Sequence, residues 1–292
     1  MKKIYFAFVM SLIGWSYGNQ EIVHKPQIVH TVNNIQPLSG EHTAELVATF
    51  YKELGPRLGS HLVEPNVVIT LAGLRGSGNF LTHNLTQDEK EKIEQLNKKM
   101  KPQGIQFIVI GDVKRNIDDI YIHNFKGAEY SSKLSQLPFV QPYNASTGLT
   151  GLQAWESSVV ANAKNYFKQI LKDHPILEKE NAIGHLMLGL GFGYPDQALL
   201  DLFNAIMRGI PSDELADSKI RYSDYYSGPQ PNFHYFSHHE DNQTIVKIRK
   251  TWGKLLREFY KSSWHVLIAQ DPVFISMIKS ERELHNAWFA KN

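Results

Sequence analysis

Two kinds of apolar pattern divide this chain. Dense β-branched runs dominate its first half, and apolar positions at the 3.6-residue helical period dominate the second. Leu46, Val47, Phe50 and Leu54 share one face of a helix predicted over 41–54, and Gly55-Pro56 closes it in the usual stop order. Asn66–Leu74 is apolar and β-branched and predicts a buried strand; Asn79–Leu85 predicts a weaker one. Thr86 and Glu89 have the spacing of a capping box, which opens a helix over 86–100 before Gly104. Ile105–Ile110 and Asp119–His123 follow as further strands.

Pro138–Gly151 is rich in Pro, Gly, Asn, Ser and Thr and marks a boundary. Beyond it, helices are predicted over 155–171, over 195–208 with Pro195 at the first helical position, and over 244–268. A last one opens at Asp271-Pro272. The expected fold class is α+β: a small mixed β-sheet domain with one or two helices over 41–137, then a linker over 138–151. A predominantly helical region over 152–292 completes it and carries a long loop, 211–243.

The N-terminus changes the picture. Lys2 and Lys3 precede an apolar run from Ile4 to Ile13, and small residues follow at Ser16 and Gly18, the order of a secretory signal peptide over 1–18. Residues 19–40 then read as a flexible leader. The run is too short to span a bilayer, and no second long apolar segment follows, so no transmembrane segment is expected once the signal is removed. The expected location is outside the cytoplasm, periplasmic or secreted. The 31 basic residues outnumber the 29 acidic ones by two, and Lys2 and Lys3 account for both. The mature chain is therefore neutral, and no nucleic-acid partner is expected. With no Cys, disulfide staples, thiolate catalysis and thiolate metal sites are excluded, and any metal would sit on His and carboxylates.

Candidate chemistry concentrates in the long loop. Arg221, Tyr225, Tyr226 and Tyr235 offer charge and aromatic faces for a polar ligand. His234, His238 and His239 lie beside Glu240 and Asp241, types that zinc or another divalent ion accepts. The His-Glu-x-x-His spacing is missing. Gly73–Asn79 places Arg75 among glycines, which suits either an anion-binding loop or a hairpin turn, and the turn is the expected reading. Gly189, Gly191 and Gly193 precede Pro195 and suit either an anion nest or close backbone packing. On the helix predicted from Thr244, Ile245, Ile248, Trp252, Leu255, Leu256 and Phe259 share one face; Lys247, Lys250, Lys254, Arg257 and Lys261 share the other.

These features give one main expectation and two alternatives. The main one is an exported protein that binds a polar small molecule, a glycan or a protein partner through residues 221–241. The first alternative is a metal-assisted hydrolase, with His234, His238 and His239 as ligands and Glu240 or Asp241 as ligand or general base. The second is an adaptor that docks on an anionic surface through the basic helix face.

Overall fold

The computed structural model describes residues 36–112, 117–210, 215–217 and 233–267. The fold is α+β, a small sheet followed by a helical region. The predicted signal peptide, most of the leader, most of loop 211–243 and the helix expected from Asp271 lie outside the described residues.

Helix α1, Gly40–Leu54, begins at Ser39, whose hydroxyl accepts from the His42 amide, and buries Val47, Phe50 and Leu54 as its period requires. The stretch Asn66–Leu74 overturns the strand expectation: Pro65–Leu71 is a helix, α2, with Pro65 in its first turn. Val67, Val68 and Ile69 are all fully buried. A segment wrapped by protein on every side shows no apolar stripe, so its pattern cannot separate a buried helix from a buried strand.

The α2 helix ends in a Schellman motif. Leu74 N donates to Ile69 O, Gly73 N donates to Thr70 O, and Gly73 takes φ +79°. The glycine-rich run is therefore a helix stop that feeds directly into a strand, and the expected hairpin turn is absent there.

Strand β1 is Ser77–His83. Helix α3, Gln87–Met100, starts on the predicted capping box, with Thr86 and Glu89 each receiving from the other's amide. Strands β2 (Ile105–Asp112) and β3 (Ile117–Asn124) complete an antiparallel sheet of order β1-β3-β2. The β1–β3 register sets Ser77 opposite His123 and Phe80 opposite Ile120. Phe80, Ile120, Ile122 and Phe107 fall on one face and meet α1–α3 in the first core; Phe50 meets Phe107 edge-on at 5.7 Å.

Helix α4 (Phe125–Leu134) is capped by Asn124, whose side chain accepts from Gly127 N. Helices α5 (Gly148–Tyr166), α6 (Ile176–Gly191) and α7 (Asp196–Met207) form a second core with the segment 137–140. In that core Phe167 stacks on Phe203 with centroids 4.1 Å apart. Helix α6 includes Gly189, where a Cβ would lie 2.2 Å from a Leu199 methyl, so this glycine serves close packing of α6 on α7. Helix α8, Gln243–Leu267, returns to the first core: Ile245, Trp252, Leu255, Leu256 and Phe259 are buried in it, and Tyr260 donates to Val63 O at 2.7 Å.

Candidate functional site

Where the two cores meet, a cleft with about 50 Å³ of interior room opens between the end of α4, the α6–α7 turn and α8. The α4 side supplies Tyr130, Ser131, Ser132 and Ser135, with Trp155 of α5 beside them. The turn supplies Tyr194 and Asp196, and α8 supplies Thr244, Lys247, Thr251 and Trp252. That interior room takes a few waters or one polar group of a ligand, and the wider cleft, about 670 Å³ including space open to solvent, leaves room for the rest of it.

Local sequence fixes these walls. A second Schellman motif ends α6: Tyr194 N donates to Gly189 O, Gly193 N to Leu190 O, and Gly193 takes φ +65°. This turn aims the Tyr194 ring between Phe233 and Trp252, at centroid distances of 5.5 and 6.4 Å. Asp196, in the first turn of α7, accepts from Ser135 Oγ at 2.8 Å and from Gln136 N, which ties α7 to the end of α4. Burial raises its carboxyl pKa, and those hydrogen bonds partly offset the rise. The Ser131, Ser132 and Thr251 hydroxyls donate to backbone carbonyls of their own helices; Ser132 Oγ also accepts from Tyr143 N, so Ser131 and Thr251 are the two that offer lone pairs toward a ligand. Lys247 is exposed at the rim and supplies a cation.

Directly behind the cleft lies Arg75, 1% exposed. Its guanidinium carbon sits 4.5 Å from the Phe192 ring centroid, 5.9 Å from that of Tyr194 and 6.0 Å from that of Trp252. Its Nε donates to Ser77 O, while Nη1 has no hydrogen-bond partner among the described residues. Burial lowers its pKa to about 10, which still leaves a full positive charge at neutral pH.

Three of the ligand-binding residues expected from sequence, Arg221, Tyr225 and Tyr226, lie outside the described residues. Tyr235 is 3% exposed and belongs to the first core with Phe233. Its neighbour His234 pairs through its backbone with Asp217 in a two-stranded ribbon, and the His234 side chain is outside the described residues. His239 is anchored: its Nδ1 lies 2.8 Å from Oδ2 of Asp201, a carboxylate that also accepts from Phe236 N at 2.9 Å and from Gln197 Nε2 at 2.8 Å. His238 is exposed, and its ring centroid lies 4.0 Å from that of His239. Glu240 is half-buried and Asp241 exposed. Among the described residues no group of three or more His, Asp and Glu side chains gathers as a metal-ion cluster would.

The basic face of α8 is mostly exposed. Lys247, Lys250, Lys254 and Lys261 are exposed and Arg257 is half-buried, with Glu258 3.9 Å from Lys254. Among the described residues no helix is long and apolar enough to cross a membrane.

Sequence reasoning missed two further polar arrangements. Ser77 Oγ and His123 Nδ1, opposed across β1 and β3, lie 2.8 Å apart, and both residues are buried. Desolvation lowers the His123 pKa to about 4, so its imidazole is neutral near pH 7. The pair is a satisfied interior hydrogen bond, shielded from any substrate. On α5, desolvation raises the Glu156 carboxyl to about 7. Strand register and helix packing create both environments, and neither leaves a trace in local sequence.

No known protein family, characterised protein or solved structure is matched by this chain.

Proposed function

We propose that this chain is an exported binding protein, and that the cleft between α4, the α6–α7 turn and α8 holds a small polar, hydroxyl-bearing ligand. One observation carries the reading: Tyr130, Trp155, Tyr194 and Trp252 converge on an opening that also presents Asp196, Lys247 and hydroxyl oxygens. Aromatic faces with a few oriented polar groups are the usual make-up of a site for such molecules. The export part rests on the basic and apolar order of residues 1–18.

The test is calorimetric titration of the purified protein with monosaccharides, amino acids and their charged derivatives. A saturable ligand is expected, weakened about tenfold by Trp155→Ala, in line with about 1–1.5 kcal/mol for a lost aromatic contact. Tyr166→Ala removes an exposed ring outside the cleft lining and should leave binding unchanged. A ligand whose affinity ignores Trp155→Ala would place binding elsewhere and defeat the proposal.

One further observation favours a second reading, docking on an anionic surface. Four lysines of the α8 basic face are exposed along one helix. This reading predicts binding to anionic lipid vesicles that weakens steeply between low and physiological salt. It fails if reversing Lys250 and Lys254 to Glu leaves vesicle binding intact.

A further inference from the structure

We infer that the cleft selects an anionic ligand, a hydroxylated molecule carrying a carboxylate or phosphate, because Arg75 sets a buried positive charge, with no carboxylate partner among the described residues, behind its wall. The inference rests on the cleft being the binding site and adds the charge of what it takes.

A fully buried cation is ordinarily paired with a carboxylate, because leaving it alone in a low-dielectric interior costs several kcal/mol. Arg75 departs from that rule. Among the described residues it meets the Ser77 carbonyl and the faces of Phe192, Tyr194 and Trp252, all formally neutral, and Nη1 has no hydrogen-bond partner there. Ring faces offset part of the cost and cancel none of the charge.

The position of this charge ties it to the cleft. Tyr194 and Trp252 contact the guanidinium and also line the opening. Gly193 lines it as well, and a Cβ there would sit 3.0 Å from that of Arg75. A ligand in van der Waals contact with the cleft side of either residue stands about 10 Å from the guanidinium, the 5.9 and 6.0 Å to the ring centroids plus a contact of about 3.5 Å. At an effective dielectric of about 20, a unit negative charge there is favoured about fifteenfold over a neutral group. Within the cleft, Lys247 acts in the same direction. Asp196 opposes it, because the hydrogen bonds from Ser135 and Gln136 come from neutral donors and leave its charge in place; the formal charges at the cleft are then two positive, Lys247 and Arg75, against one negative.

Three probes on one sugar ring separate charge from shape: glucose, glucuronate and glucose 6-phosphate, titrated at constant ionic strength into the full chain. The expected result is that both anions bind at least tenfold more tightly than glucose. Arg75→Met, which keeps the stem's bulk and removes the charge, should bring them to within about threefold of glucose, and Arg75→Lys should restore most of the preference. Circular dichroism checks that each variant is folded, and the wild-type preference is readable without any variant. Equal binding of all three probes to wild type overturns the anion inference and leaves the cleft reading standing.

If none of the three binds, the cleft reading loses its support, and the charge is still read without a ligand. Iodide quenching of tryptophan fluorescence, relative to neutral acrylamide, should fall in Arg75→Met, because the half-buried Trp155 lines the cleft. An unchanged ratio overturns the inference.

Discussion

Replacing Glu89 by Gln tests how a predicted helix start is tied into the fold. Glu89 accepts from Thr86 N and from Thr86 Oγ1, each at 2.9 Å, and it meets the Arg57 guanidinium through both oxygens, with Nε 2.6 Å from Oε1. Arg57 reaches on to His83 O at 2.7 Å, so one ion pair joins α3, the end of β1 and the turn after α1. The Arg57 hydrogen bond chiefly holds the Glu89 carboxyl down at about 2, helped by Thr86 and opposed by burial. A folded pKa below the unfolded value of about 4.3 stabilises above that value and is lost as pH falls toward 2.

Roughly two pKa units would correspond to about 3 kcal/mol. Arg57 is 44% exposed, and solvent screening reduces the expected contribution to about 1.5–2 kcal/mol. Gln keeps the shape and the cap, but its amide turns a donor toward a donor. Urea denaturation followed by helix circular dichroism should show Glu89→Gln less stable by about 2 kcal/mol at pH 7. By pH 3 the deficit should shrink by more than half. An equal deficit at both pH values, or one under about 0.5 kcal/mol at pH 7, would refute the assignment to charge.

Gly193→Ala adds a Cβ 3.0 Å from that of Arg75 at a backbone φ of +65°, so thermal melts should show a loss of about 1–3 kcal/mol. Gly191→Ala, whose Cβ meets only Ser77 Oγ at 4.0 Å, is the control and should stay within about 0.5 kcal/mol. Asp201→Asn weakens a buried acceptor of three donors, so hydrogen exchange at the Phe236 amide should accelerate and stability fall by about 1–3 kcal/mol. Exchange unchanged at Phe236 would show that the 233–240 segment is held by other contacts. Glu156, raised to about 7 by desolvation, stabilises the fold below about pH 4.3, and that stability is lost as pH rises through 7. Since the residue is only half-buried, the fall between pH 5 and 8 should be on the order of 1 kcal/mol, and it should vanish in Glu156→Gln.

What the sequence made legible follows from where each signal originates. The α3 start was readable because Thr86 and Glu89 satisfy each other within four residues. The apolar face of α8 was readable because its other face is solvated, which leaves a stripe. The β2 and β3 strands surfaced as dense apolar runs. Helix α2 was mistaken for a strand because burial on all sides erases the stripe. Helix α6 escaped notice because three glycines within five residues weaken a helical pattern, although the close packing they also suited is what Gly189 serves against Leu199, and Gly189 and Gly191 both lie in regular turns. Gly193 alone acts as a conformational glycine there, and it ends the helix.

The candidate site was legible only in fragments, for a reason that also bears on Arg75. Leu74, Ser135, Trp155, Tyr194 and Trp252 come from five separate segments, and no spacing rule joins them. Arg75 was visible as a charge among glycines. Its significance depends on what surrounds it among the described residues, three ring faces and a carbonyl without a carboxylate, and that is a property of tertiary packing. The two Schellman turns create this setting: Gly73 sends the chain from α2 into β1, and Gly193 brings Phe192 and Tyr194 around the guanidinium. A purely structural role would be met by an apolar side chain of similar volume, which often replaces a buried ion at no loss of stability. A positive charge held there with no carboxylate partner among the described residues is instead suited to act on something outside the core, and the cleft shares its walls.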